Sequence, residues 1–149
     1  MQHASVYRFK DRILVHPNCP TSAGILLSTA PFAVLPLTAS DHELGLAVSA
    51  ALASSSRVVA HPADWKGEAL PRLAAAGVKT ERAFQRLSSL VRILFDGTSF
   101  QLQPTHNGGG KGDMRGFHAI PGSKNIFPLA IEPDTLGAEL RRALALCTD

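Results

Sequence analysis

Apolar residues recur along the chain at two spacings, and one combination of them is written twice. A short apolar segment from Phe32 to Leu37 leads through a polar turn into a stretch in which Leu44, Val48, Ala51 and Leu52 share one helical face. Further along, the segment from Ile126 to Ile131 leads through another polar turn into Leu136, Leu140, Ala143, Leu144 and Cys147, again on one face. Pro36-Leu37, Leu44-Gly45 and Ala51-Leu52 each return 92 residues later, as Pro128-Leu129, Leu136-Gly137 and Ala143-Leu144. Each copy predicts strand, turn and helix, with one face of the helix buried. A glycine inside a helix costs about 1 kcal/mol relative to alanine, so Gly45 and Gly137 at equivalent places predict helices lying close against a sheet. Ser40 with Glu43 has the form of a capping box; the second copy has Pro133 at the first helical position, Asp134 beside it, and Arg141 and Arg142 toward the end. Duplication of one unit and convergence on one amphipathic pattern would both leave this signature.

The remaining segments fill in an α+β fold, a mostly antiparallel sheet packed by helices, with the two strand-turn-helix units as its repeated parts. Ser5 to His16 alternates loosely around Lys10-Asp11, which predicts an opening hairpin or bent strand ended by Pro17-Asn18-Cys19-Pro20. Gly24 to Leu27 and Arg57 to His61 predict short strands. Trp65 to Ala76, interrupted only by Pro71, and a stretch from Thr80 to Leu87 predict helices. Leu90 to Phe95 and Ser99 to Gln103 flank Asp96-Gly97, whose chemistry permits positive φ and signals a two-residue hairpin turn. Pro104 to Arg115 then predicts a glycine-rich loop, followed by an extended Gly116 to Ile120 and a turn at Pro121-Gly122.

With 149 residues and 45% hydrophobic content, the chain can build one core without disulfides or metal, and a single domain over residues 1–149 is expected. The longest apolar runs are broken by Pro, Ser or Gly, and no basic stretch precedes an apolar one at the N-terminus, so a soluble cytoplasmic protein is expected. Cys19 and Cys147 lie far apart and form no CxxC, which predicts two reduced thiols. The formal charge of +3 is small, the 15 Lys and Arg are scattered, and no nucleic-acid motif gives them a groove to fit; no direct nucleic-acid partner is expected.

Candidate chemistry concentrates in His106-Asn107-Gly108-Gly109-Gly110-Lys111-Gly112-Asp113-Met114-Arg115-Gly116. Glycines allow close backbone approach, and amides with a lysine can cradle phosphate. The P-loop pattern fails, because Thr105 stands where its first glycine belongs and Gly112 follows Lys111. Three readings stay open for the segment: a phosphate-binding loop of another kind, a loop that meets a partner, or a plain connector. His106 and His118 flank it, and with Lys111 and Arg115 they could work as an acid/base set on a phosphodiester, provided all four side chains converge on one cleft. The six histidines show no HxxxH or HxH spacing, so neither metal nor cofactor is expected. No GxSxG or cysteine nucleophile pattern is present. Trp65, the only tryptophan, reads as a half-buried anchor or a partner contact.

Several of these segments together resemble the CdiI-type immunity proteins of bacterial contact-dependent growth inhibition systems. The resemblance rests on Val91-Arg92-Ile93-Leu94-Phe95-Asp96-Gly97, on Gln103-Pro104-Thr105-His106-Asn107-Gly108-Gly109-Gly110, and on Pro128-Leu129 with Leu136-Gly137 and Ala143-Leu144. It implies a small cytoplasmic protein, not an enzyme, that binds and neutralises the C-terminal toxin domain of a large secreted exoprotein. The toxin is expected to be a nuclease. On that reading the toxin-binding residues are Trp65, His106, Lys111, Asp113, Arg115 and His118; the alternative is a phosphodiester- or nucleotide-acting enzyme built on the same loop and histidines. An inhibitor of a basic nuclease gains speed and affinity from an acidic surface, whereas this chain is net basic.

Overall fold

A computed structural model describes residues 1–149. β1 (Gln2–Arg8), β2 (Arg12–Pro20), β3 (Leu26–Ser28) and β4 (Ala33–Pro36) lead into α1 (Asp41–Ser54); α2 (Trp65–Ala76) and α3 (Glu81–Leu87) follow. β5 (Ser89–Phe95), β6 (Ser99–Asn107), β7 (Phe117–Ala119) and β8 (Asn125–Pro128) then lead into α4 (Pro133–Leu146). The eight strands form one antiparallel sheet in the order β3-β2-β1-β5-β6-β7, with β4 also pairing β2 and β8 also pairing β6.

The repeat extends well beyond the strand-turn-helix units seen in the sequence. Gln2–Arg8 and Arg12–Pro20 return 87 residues on as β5 and β6, Leu26–Ser28 returns 91 on as β7, and Ala33–Pro36 and Asp41–Ser54 return 92 on as β8 and α4. Pairings return with them: Asn18 faces Ser28 as Thr105 faces Ala119, and Arg12 faces Pro36 as Ser99 faces Pro128. β1 and β5 join the two halves, with Ser5 opposite Arg92 at their middle and each end of one strand against the other end of its mate. The molecule thus has an internal two-fold arrangement, broken by the insertion of residues 55–88.

Strand alternation divides the side chains between two cores. Val6, Ile13, Val15, Val91, Ile93 and Leu102 point to α1 and α4, where they meet Leu44, Val48, Leu52, Leu136, Leu140 and Leu144. On the opposite face Tyr7, Phe9, Leu14 and Leu90 pack under the inserted helices against Leu73, Ala76 and Phe84. The helix glycines face each other's helix, not the sheet. A Cβ on Gly45 would lie 2.0 Å from the Pro133 carbonyl oxygen, and one on Gly137 would lie 1.9 Å from that of Asp41. Only a hydrogen at both places lets the two helix starts cross this closely.

Caps behave largely as their sequences suggest: Ser40 Oγ accepts from the Glu43 N–H at 3.1 Å, Thr80 Oγ1 accepts from Ala83 at 3.0 Å, and Pro133 occupies the first turn of α4. Arg141 does not serve the end of its own helix. Its Nε donates to Asp41 at 2.8 Å, and its other nitrogens bond the Leu37 and Ala39 carbonyls at the start of α1. Strand ends differ from the sequence expectation in several places. β2 runs on through Pro20, because the Pro17 and Pro20 carbonyls still accept, from Thr29 and Val59. β6 continues to Asn107, so the glycine loop is 108–116. Residues 57–61 contribute only an isolated bridge from Val59 to Thr21. The hairpin turn closes between Asp96 and Ser99, with Gly97 (φ 95°) and Thr98 at its tip. The Asp96 carboxylate accepts from the Thr98 and Ser99 amides, which holds it ionised well below the usual carboxylate range.

Candidate functional site

A polar cleft of about 510 Å³ opens between α3 and the glycine loop, lined by Glu81, Arg82 and Gln85 on one side and Gly109, Gly110, Arg115 and Gly116 on the other. No apolar side chain lines it. The Thr80 cap fixes where α3 begins, and Phe84, buried between Tyr7 and Phe9, turns Glu81, Arg82 and Gln85 away from the core. The loop closes on itself through Gly108 N–H to Gly116 O at 2.8 Å and Gly116 N–H to Gly109 O at 3.0 Å. A Cβ on Gly108 would sit 1.5 Å from the Met114 carbonyl oxygen, and one on Gly110 would sit 2.7 Å from Arg82 Cγ, so glycine sets how closely both contacts are made.

Asn107 braces the two walls. Its Nδ2 donates to the Gln85 and Ser88 carbonyls at 2.6 and 2.8 Å, while its Oδ1 accepts from Gln85 Nε2 at 2.8 Å and from the Gly109 N–H at 2.9 Å. Every hydrogen-bonding position of one buried side chain is used to hold loop to helix. The charges of the cleft are unbalanced. Glu81 is engaged by Arg72 at 2.5 Å, and Arg72 in turn stacks on the Phe84 ring with its guanidinium 4.1 Å from the centroid. Arg82 and Arg115 have no carboxylate within ion-pair distance. Arg115 makes one neutral bond, to the Gly112 carbonyl at 3.2 Å.

Of the six residues singled out from the sequence, Arg115 alone lines this cleft. His106 and His118 are directly opposite each other on β6 and β7, but they are committed elsewhere: His106 Nδ1 meets the Thr148 hydroxyl at 2.8 Å, and His118 Nε2 lies 3.0 Å and 3.1 Å from the Met114 and Arg115 carbonyls. Lys111 and Asp113 are exposed on the loop beyond the cleft. The four side chains of the acid/base reading therefore do not meet in one cleft. Trp65 begins α2, half exposed and edge-on to His61 at 5.5 Å, and it lines a second, smaller cleft of about 200 Å³ with Leu26, Leu27, Ala69 and Arg72. Glu81 borders both clefts, so the two surfaces are continuous. No three His, Cys, Asp or Glu side chains gather at metal-binding spacing. Arg82 and Gln85 belong to no sequence motif, and Asn107, which lies in the glycine-rich segment, gave no sign of its bracing role; the one hint is a short helix whose polar face alternates with Phe84.

Residues 2–147 match the family described as CDI immunity protein. The chain belongs to this family. It is an immunity protein of contact-dependent growth inhibition, and its partner is a cognate toxin domain. No curated protein sequence matches it. The fold is similar to that of a protein of unknown function from Neisseria meningitidis, at 20% identity and a TM-score of 0.74, covering 98% of this chain and 94% of that one. It is similar to the same degree, at 20% identity and a TM-score of 0.74, to a CdiA-CT/CdiI toxin and immunity complex from Yersinia pseudotuberculosis, covering 99% of the immunity protein's chain and 97% of the other. No helix of the immunity protein is long and apolar enough to cross a membrane.

Proposed function

We propose that the immunity protein acts in the cytoplasm as a stoichiometric plug, covering the working surface of a CdiA-type C-terminal toxin domain without catalysing any reaction itself, and that the toxin is a nuclease. The observation that carries this reading is the continuous exposed surface that runs from the Arg82–Arg115 cleft across Glu81 to Trp65. Arginine and tryptophan are the side chains that most often dominate the energy of a protein interface, and here they stand on braced supports beside recesses that a partner can fill. Lys111 and Asp113 extend the surface along the loop, and His106 and His118 lie behind it on the β6–β7 pair.

A calorimetric titration against the C-terminal domain of the large exoprotein encoded beside this gene tests the reading, with that domain's activity on RNA and DNA followed in parallel. One-to-one binding with loss of nuclease activity is the expected result; absence of binding overturns it. Lys111→Ala combined with Arg115→Ala should weaken binding about tenfold or more while thermal stability stays within about 0.5 kcal/mol of the parent, because both side chains leave the core untouched.

A further inference from the structure

We propose that the cleft between α3 and the glycine loop receives an acidic segment of the toxin domain, with a carboxylate seated between Arg82 and Arg115. The inference rests on the toxin-binding reading and names the chemistry of the partner.

The internal two-fold arrangement shows which parts of the molecule are shared scaffold and which are not. β1 to β4 with α1 return as β5 to β8 with α4, and two features have no counterpart. One is the insertion 55–88, which carries α2 and α3; the other is the connection from β6 to β7, residues 108–116, where the first half crosses from β2 to β3 with residues 21–25 alone. Each of the seven residues lining the cleft comes from one of these two features: Glu81, Arg82 and Gln85 from the insertion, Gly109, Gly110, Arg115 and Gly116 from the lengthened loop. The core under α1 and α4 is complete in the repeated part, whereas α2 and α3 also cover the second face of the sheet. What was added outside the repeat converges on one recess and is tied there by Asn107.

The chemistry of the recess selects its occupant. Without an apolar wall it offers no burial to a hydrophobic anchor. Its one carboxylate, Glu81, is already neutralised by Arg72, which leaves Arg82 and Arg115 as exposed cations of the lining without a carboxylate partner. Guanidinium groups present planar forks of donors that match a carboxylate with two parallel hydrogen bonds, and placing an acidic residue between two of them removes the local imbalance. An immunity protein offering these arginines complements an acidic patch on its toxin and disfavours mismatched, basic toxin surfaces.

The test compares the intact protein with Arg82→Glu, Arg115→Glu, the double variant, and Lys124→Glu on the β7–β8 turn as a control outside the cleft that matches each single variant in charge. Each is titrated with the toxin domain from about 50 to about 300 mM salt. Expected is a loss of about 100-fold in affinity for the double variant, a flatter salt dependence, unchanged thermal unfolding, and a change within about twofold for the control. Equal affinity of the parent and the double variant overturns the proposal, and so does an equal loss in Lys124→Glu, which would mean that net charge alone matters. If the double variant keeps its toxin affinity but loses binding to RNA in a filter assay, the cleft takes phosphate and the proposal falls. If the parent protein itself fails to bind the toxin domain, it is the toxin-binding reading that fails, and the parent titration separates that case from the others.

Discussion

Residues 2–54 and 89–146 trace the same path of four strands and a helix, yet the second copy carries a lengthened loop and the first does not. Where the copies agree, their shared residues serve packing: Gly45 and Gly137 let the helices cross, and Leu44 and Leu136 hold them to the sheet. Where they differ, the changes reach buried positions, with Tyr7 matched by Leu94, Leu14 by Gln101 and Cys19 by His106. His16 and Gln103 occupy matching positions on β2 and β6, and each has a ring or amide nitrogen near the carbonyl of the proline that follows, Pro17 or Pro104. Gln103 Nε2 also reaches Ile120 O and Ser123 Oγ, whereas His16 Nε2 is buried with no partner at all. Duplicated architecture tolerates unequal polar chemistry so long as the apolar contacts along the two-fold are kept.

The largest expected effect comes from breaking that two-fold contact. Gly137→Val and Gly45→Val each push a side chain into a backbone carbonyl of the opposite helix, and each should cost about 3 kcal/mol or more in chemical denaturation, by similar amounts because the two sites are mates. A gain in stability from the higher helix propensity of the new residue would show that the helices can move apart.

Next comes the polar mismatch on the sheet. Burial pushes the His16 imidazole down from 6.5 to about 4, aided by the nearby Arg72 charge and opposed by the Pro17 carbonyl. The unfolded chain therefore binds more protons than the folded one between those two pH values, so stability present above about 6.5 is lost as pH falls toward about 4. The loss attached to this one group is about 3 kcal/mol. His16→Gln makes the first copy resemble the second at this position and should flatten the stability profile across that window; a profile that keeps its slope would assign the acid sensitivity to other groups.

The smallest effect is expected where the copies touch at the surface. His42 Nδ1 and Asp134 Oδ1, equivalent positions on α1 and α4, lie 2.5 Å apart, but both side chains are more than half exposed. His42→Ala should change unfolding free energy by less than about 0.5 kcal/mol, since water and salt screen such a pair. A larger loss would mean that the helix starts depend on it for their crossing.

The Asp96-Gly97 hairpin, all four helices and the starts of α1, α3 and α4 were legible in the sequence, because strand alternation, helical spacing, Thr80, Ser40 and Pro133 are local signals, whereas the Asp64 cap of α2 was not read. The strand-turn-helix repeat was also visible, but not its extension to β1, β2, β5 and β6, whose side chains differ while their pairing is the same. In the candidate site, the glycine loop and Arg115 were legible from composition. Arg82, Gln85 and the bracing role of Asn107 were not, since nothing along the chain announces that α3 will lie against the loop. His106 and His118 stood out as a pair and are neighbours, but strand pairing sends them to Thr148 and to the loop carbonyls and not into the cleft.

The sequence by itself determined most of the local elements, the α+β class and the two amphipathic helices, because those follow from short-range sterics and from the period of the apolar residues. Tertiary structure alone decided what the glycines of α1 and α4 face, which half would carry the inserted helices, and that Arg82 and Arg115 would share a recess without a carboxylate to balance them. Those outcomes depend on contacts between residues far apart along the chain, whose free energies become defined only once the sheet has closed around its central β1–β5 pair.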